Sequence, residues 1–111
     1  HYAGAFPTWL APVQTVVTPI SDKHQEYAQK VVEQLKEAGV RVELNDKNEP
    51  LNARIRDAEM QKIPYILVVG DKELEANTVS VRHRHSRNTQ THPVNDLLST
   101  LKQEIANRTN N

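Results

Sequence analysis

Cysteine is absent from this chain of 111 residues. That excludes a disulfide framework and a thiolate metal site. Only three glycines occur, too few for a glycine-rich phosphate loop. Aromatic residues make up 5%, so the stacking platforms common in single-strand binders are scarce. Neither charge sign is in excess: 14 Lys and Arg stand against 14 Asp and Glu. That balance argues against a broad, sequence-blind grip on a phosphate backbone. No apolar run approaches the ~20 residues of a membrane span. The opening residues do not read as a signal peptide, and a cytoplasmic setting is expected.

What is present suffices for one domain with one core. Apolar residues are 37% and charged residues 25%, the balance of a chain that folds and stays in solution. Residues 1–50 hold five basic and seven acidic side chains, and residues 51–111 hold nine and seven. Any basic surface is therefore expected in the second part.

Residues 1–12 combine Tyr2, Phe6, Trp9 and Leu10 with Pro7 and Pro12. The prolines break a helix. The segment reads as a connector from an upstream body or as a strap over the domain's own core. The domain proper is expected over residues 13–111. Val13 to Ile20 reads as a strand, followed by a helix capped at Ser21 or Asp22. Ala28, Val31, Val32, Leu35 and Ala38 form the apolar stripe of that helix, and Gly39 stops it. Val40, Val42 and Leu44 alternate as a second strand. Strand, helix and strand with short links predict parallel pairing and a right-handed crossover. Asn45 to Glu49 is a polar loop at the carboxyl end of the second strand. A helix opens at Pro50, with Leu51, Ile55 and Ala58 inward and Arg54 and Arg56 in water.

Pro64 to Arg84 organises the rest. Pro64-Tyr65-Ile66-Leu67-Val68-Val69-Gly70 reads as a strand buried on both faces. Thr78-Val79-Ser80-Val81-Arg82-His83-Arg84 alternates, as a half-exposed strand does. The pattern predicts a hairpin whose tip is Ala76-Asn77. Glu73 then faces Ser80, and Glu73 and Arg82 become diagonal neighbours on one polar face. Such a pair can read the edge of a flat polar ligand or be a plain surface ion pair. Asn88 to His92 reads as a short edge strand. Pro93 starts a last helix with the stripe Leu97, Leu98, Leu101 and Ile105.

No nucleophile–base set presents itself, and nothing argues for a catalytic site. His83 and His85 share a strand face but have no acidic or cysteine neighbour there, which argues against a metal site. The loop after Leu44 and the turn after Gly70 leave the same end of the sheet, where open α/β sheets usually bind ligands. Asn48 and Glu73 are thus expected to approach each other, with Arg82 joining them if its strand extends past the sheet edge.

Several blocks resemble one family, in order and at matching separations. They are Phe6-Pro7-Thr8-Trp9-Leu10-Ala11-Pro12-Val13-Gln14, Ala38-Gly39-Val40-Arg41-Val42, Asn48-Glu49 with Ile55-Arg56, Ile63-Pro64-Tyr65, Val69-Gly70-Asp71-Lys72-Glu73 and Val79-Ser80-Val81-Arg82. The chain resembles the C-terminal anticodon-binding domain of threonyl-tRNA synthetases, class II aminoacyl-tRNA synthetases. The resemblance implies an α/β fold: a mixed, mainly parallel five-stranded sheet flanked by three helices. It also implies recognition of the second and third anticodon bases, G and U, of tRNA(Thr). The family's base-reading residues fall on Asn48, Glu73 and Arg82. Lys47, Arg54, Arg84 and Arg87 are the candidates for phosphate contacts. Lys47 stands where the family often has Arg, and Pro50-Leu51-Asn52 replaces a Lys-Ile-Gly-like helix start.

No cofactor is implied for this chain. The ATP, Mg and Zn of the family belong to an upstream catalytic domain, whose enzymes dimerise mostly through that part. The expected partners are the anticodon stem-loop and the catalytic domain, with no membrane. The alternative is a protein-interaction or regulatory module on the same fold.

Overall fold

The computed structural model describes residues 7–83 and 89–107. Five strands form one sheet in the order β2-β1-β3-β4-β5. They are β1 Thr15–Pro19, β2 Val42–Leu44, β3 Tyr65–Val69, β4 Thr78–His83 and β5 Gln90–Pro93. β1 pairs in parallel with β2 and β3, while β3–β4 and β4–β5 are antiparallel. The sheet is mixed as expected, but the two senses are evenly divided. The helices are α1 Gln25–Glu37, α2 Leu51–Met60, α3 Asp71–Ala76 and α4 Val94–Ala106. Three were expected; α3 is the addition.

The sheet separates two cores. Tyr65, Leu67 and Val69 of β3 and Val79 and Val81 of β4 pack with the stripes of α1 and α4. The opposite face carries Val16 and Ile66 under Ala58 of α2. The alternation along each strand forces this division. Leu35, Leu67 and Leu101 are fully buried, so each helix stripe found in the sequence meets the strand residues it was made for. α1 ends at Gly39, whose φ of +86° closes the turn in the left-handed region open to glycine.

The expected hairpin is corrected. Residues 71–76 are helical, because Asp-Lys-Glu-Leu-Glu-Ala holds one large apolar residue and strong helix formers. Glu73 closes the helix start by accepting a 2.7 Å hydrogen bond from the Gly70 N–H. Asn77 ends it at φ +59°, ψ +44°, a conformation that Asn tolerates. Leu74, which the hairpin register would have placed opposite Val79 on the apolar face, is 45% exposed. The true register pairs Val68 with Ser80 and Ile66 with Arg82.

Residues 7–12 lie against this domain. Gln14 Nε2 donates to the Thr8 carbonyl at 2.9 Å, and Arg41 donates to the carbonyls of Trp9 and Ala11. The 3-10 turn at Thr8–Leu10 packs on α4.

Candidate nucleic-acid interface

β1 leads to α1 on one face of the sheet, and β2 leads to α2 on the other. Their outgoing connections diverge, which opens a crevice at the carboxyl ends of the strands. A cleft of ≈ 400 Å³ lies there, within the ~300–1,000 Å³ of small-ligand sites. One wall is Pro19, Ile20, Ser21, Asp22 and Gln25; the other is Asp46, Lys47, Asn48, Glu49 and Arg54.

Asn48 is exposed on the second wall. Among the described residues its side-chain amide has no hydrogen-bond partner, so both its donor and its acceptor face outward chemistry. Lys47 is also exposed, with Nζ 3.6 Å from Asp57 Oδ2.

Glu73 lies at the neighbouring strand end and is nearly buried, 9% exposed. Oε1 is held by the Gly70 N–H, and Oε2 accepts a long 3.4 Å contact from Ser80 Oγ. Ile20 links this carboxylate to the cleft. It lines the cleft wall, and its Cδ1 occupies the space above Gly70: a Cβ there would come within 2.5 Å of it. Only a residue without Cβ lets Ile20 lie down beside the Glu73 carboxylate. Glu73 and burial also act on Tyr27. Burial first, then the Glu73 charge, pushes the Tyr27 phenol above its ordinary value. Its hydroxyl donates to the Thr78 carbonyl at 2.7 Å.

Arg82 is placed differently from the expectation. Opposite Ile66, it stands toward the amino end of β3, on the sheet face that carries α2. Its Nη1 lies 3.3 Å from Glu59 Oε2 at the end of α2. Glu73 and Arg82 are therefore not the diagonal ion pair that the hairpin predicted. They share a face of β4 through Ser80, two residues before Arg82, a separation of about 7 Å.

Arg54 is the larger correction. Expected in water and able to meet phosphates, it is 5% exposed and its guanidinium is directed at backbone carbonyls. Arg84 and Arg87 lie outside the described residues, as does His85. Among the described residues no group of three His, Cys, Asp or Glu side chains could hold a metal ion, and no helix is long and apolar enough to cross a membrane.

The sequence reading missed Ile20, Ser21 and His24. A signal for the first two was available: they follow a strand at the point where crossovers diverge. His24 had no such signal, since its partner lies 47 residues away.

The α/β domain thus presents an exposed amide, Asn48, in a cleft at the carboxyl ends of its parallel strands. The family described as "Anticodon binding domain" matches residues 14–104, and the chain belongs to that family. It is 52% identical over 108 residues to a threonine–tRNA ligase of Sulfurihydrogenibium sp., and 51% identical to that of Aquifex aeolicus. In each case 97% of this chain is aligned with 17% of the relative. The chain thus spans about a sixth of the length of these relatives. Among solved structures, the RNA binding domain of threonyl-tRNA synthetase from Cryptosporidium parvum superposes with TM-score 0.88 at 29% identity. That match covers 93% of this chain and 26% of the other. A prolyl-tRNA synthetase of the same organism gives 0.81 at 27% identity, covering 94% and 23%.

Proposed function

We propose that this chain is the anticodon-reading module of a threonine–tRNA ligase. In this reading it takes the second and third anticodon bases, G and U, so that the parent enzyme charges tRNA(Thr). One observation carries the reading: the cleft that presents Asn48 shares Ile20 with the Gly70–Glu73 bracket. Amide and carboxylate thus flank one half-exposed apolar side chain, against which an unstacked base can lie.

The chemistry suits bases. A carboxylate accepts from guanine N1–H and N2–H or from uracil N3–H, and an amide can do both jobs. Arg82 forks onto guanine O6 and N7 or a uracil carbonyl. Anticodon-loop bases can be splayed outward for such edge reading. Aminoacylation belongs to a catalytic part, which would supply the ATP, Mg and Zn chemistry and the dimer contacts. Action in the cytoplasm fits this role. Lys47, at the cleft mouth, is the described candidate for a phosphate.

The test is a titration of the chain with a threonine anticodon stem-loop and with one whose second and third bases are exchanged. The expected preference is about 1–3 kcal/mol per base contact, with binding that weakens as salt rises. Equal binding of both stem-loops removes the reading. Absence of RNA binding with capture of a protein partner would replace it by the interaction module.

A further inference from the structure

Arg54 is the one Lys or Arg among the described residues that is buried. No carboxylate within ion-pair reach compensates it among those residues. Carbonyl dipoles do so instead. Nε donates to the Glu49 carbonyl at 3.1 Å, and Nη1 donates to Pro19 at 2.8 Å and Asn45 at 3.1 Å. Nη2 reaches the Ile20 carbonyl at 3.5 Å.

These four acceptors are not scattered. Pro19 and Ile20 end β1 and form one wall of the cleft; Asn45 and Glu49 bound the loop that carries Asn48 on the other wall. A planar fork with fixed donor directions therefore spans the gap between the walls. Each carbonyl is at a strand end or in a loop, beyond the ladder that would otherwise satisfy it. Without the fork these acceptors lose their partners, and among the described residues no other hydrogen bond of residues 46–48 crosses the cleft: the Lys47 N–H reaches Asn45 Oδ1 at 3.4 Å, and its carbonyl accepts from the Glu49 N–H at 2.8 Å, both within the loop.

We propose that Arg54 is a positioning residue that sets the distance of Asn48 from Ile20 across the cleft. The ligand-side consequence rests on the reading of Asn48 as a base-reading amide. A lysine cannot replace the fork, since one ammonium is a compact point donor. The chain uses Arg54 for specificity, by preorganising an amide before the base arrives.

Two measurements test this on the 111-residue chain. The first needs no RNA: amide hydrogen exchange over residues 45–49 in Arg54→Met and Arg54→Lys. Protection at the Asn45 amide, bonded to the Val17 carbonyl at 2.8 Å, and at Glu49 is expected to fall while β3 and α4 stay protected. Unchanged exchange overturns the proposal. The second is a double-mutant cycle of Arg54→Met with Asn48→Ala. It is read as the affinity ratio between the threonine anticodon stem-loop and the exchanged one. Arg54→Met is expected to lower the ratio by about 5- to 150-fold, the size of one base contact, and to add nothing in the Asn48→Ala background. Equal weakening of both stem-loops, with the salt slope reduced by about one, would make Arg54 a phosphate contact and overturn the proposal.

Where Arg54→Met does not fold, Arg54→Lys decides: a partial loss of the ratio supports the fork, and a native ratio overturns it. A native chain that shows no preference defeats the anticodon reading, and the exchange data then judge the bracket alone.

Discussion

His24 Nε2 lies 2.8 Å from Asp71 Oδ1, so one imidazole joins the start of the first helix to the start of the third. Its Nδ1 accepts from the Ser21 N–H at 3.2 Å. That fixes the tautomer: the proton sits on Nε2 and is donated to Asp71. Ser21 lines the cleft and Asp71 precedes Glu73 by two residues. The buried ring thus holds both sides of the site to one frame.

The first prediction concerns pH. The His24 hydrogen bond, then that from Lys23, holds the Asp71 carboxyl below its ordinary 3.8. A carboxylate lowered in the fold adds stability that is present above its unfolded value and lost as pH falls through the folded one. The contribution of Asp71 is therefore expected to be intact at pH 5 and to disappear below ~4. A carboxyl-carbon NMR titration of Asp71 checks this, and a midpoint at or above the ordinary value would contradict it.

Glu73 has two tasks that substitutions separate. Glu73→Ala removes the acceptor for the Gly70 N–H and is expected to cost about 0.5–2 kcal/mol in urea unfolding. Glu73→Gln keeps an oxygen for that N–H, loses the charge, and turns the atom facing Ser80 Oγ from acceptor into donor. It is expected to stay close to native stability while base preference falls by about 1–3 kcal/mol. Equal behaviour of the two variants in both assays would show that the separation is wrong.

Gly70 and Ile20 form a coupled pair. The Cβ of Gly70→Ala would meet Ile20 Cδ1, the far end of a half-exposed side chain. The side chain can swing outward, so the expected cost is below ~1 kcal/mol, less than for a rigid core site. In an Ile20→Val background the obstructing methyl is gone, and the cost should shrink further. Thermal unfolding of the four-variant cycle measures this, and simple additivity would contradict it.

The Arg82–Glu59 pair at 3.3 Å is half exposed on both sides. Such pairs contribute about 0–1 kcal/mol, so Glu59→Gln is expected to leave stability within that range. Removing the competing carboxylate should strengthen stem-loop binding at low salt. Weaker binding in Glu59→Gln would mean that Glu59 presents Arg82 rather than competes for it.

Much of the fold follows from local pattern. The helices that became α1, α2 and α4 were legible because their apolar residues recur at helical spacing and meet a strand face of matching alternation. Val79 and Val81 inward, with Ser80 and Arg82 less buried, also came out as the alternation required. Residues 71–76 did not, because one leucine among charges carries no period, and the deciding hydrogen bond from Gly70 to Glu73 appears only once the chain has turned.

Charge type likewise failed to reveal what Arg54 and His24 do. An arginine on a polar helix stripe reads as wet, yet four carbonyls, from the end of β1 and from the loop that follows β2, surround it. By itself the order of residues determined the five strands, the helices α1, α2 and α4, the parallel crossovers and the strand end at which Asn48 emerges. The tertiary structure alone decided which polar groups meet there. Periodicity is a property of neighbours along the chain, whereas the partners of Arg54, His24 and Arg82 are chosen by the distance between elements that packing brings together.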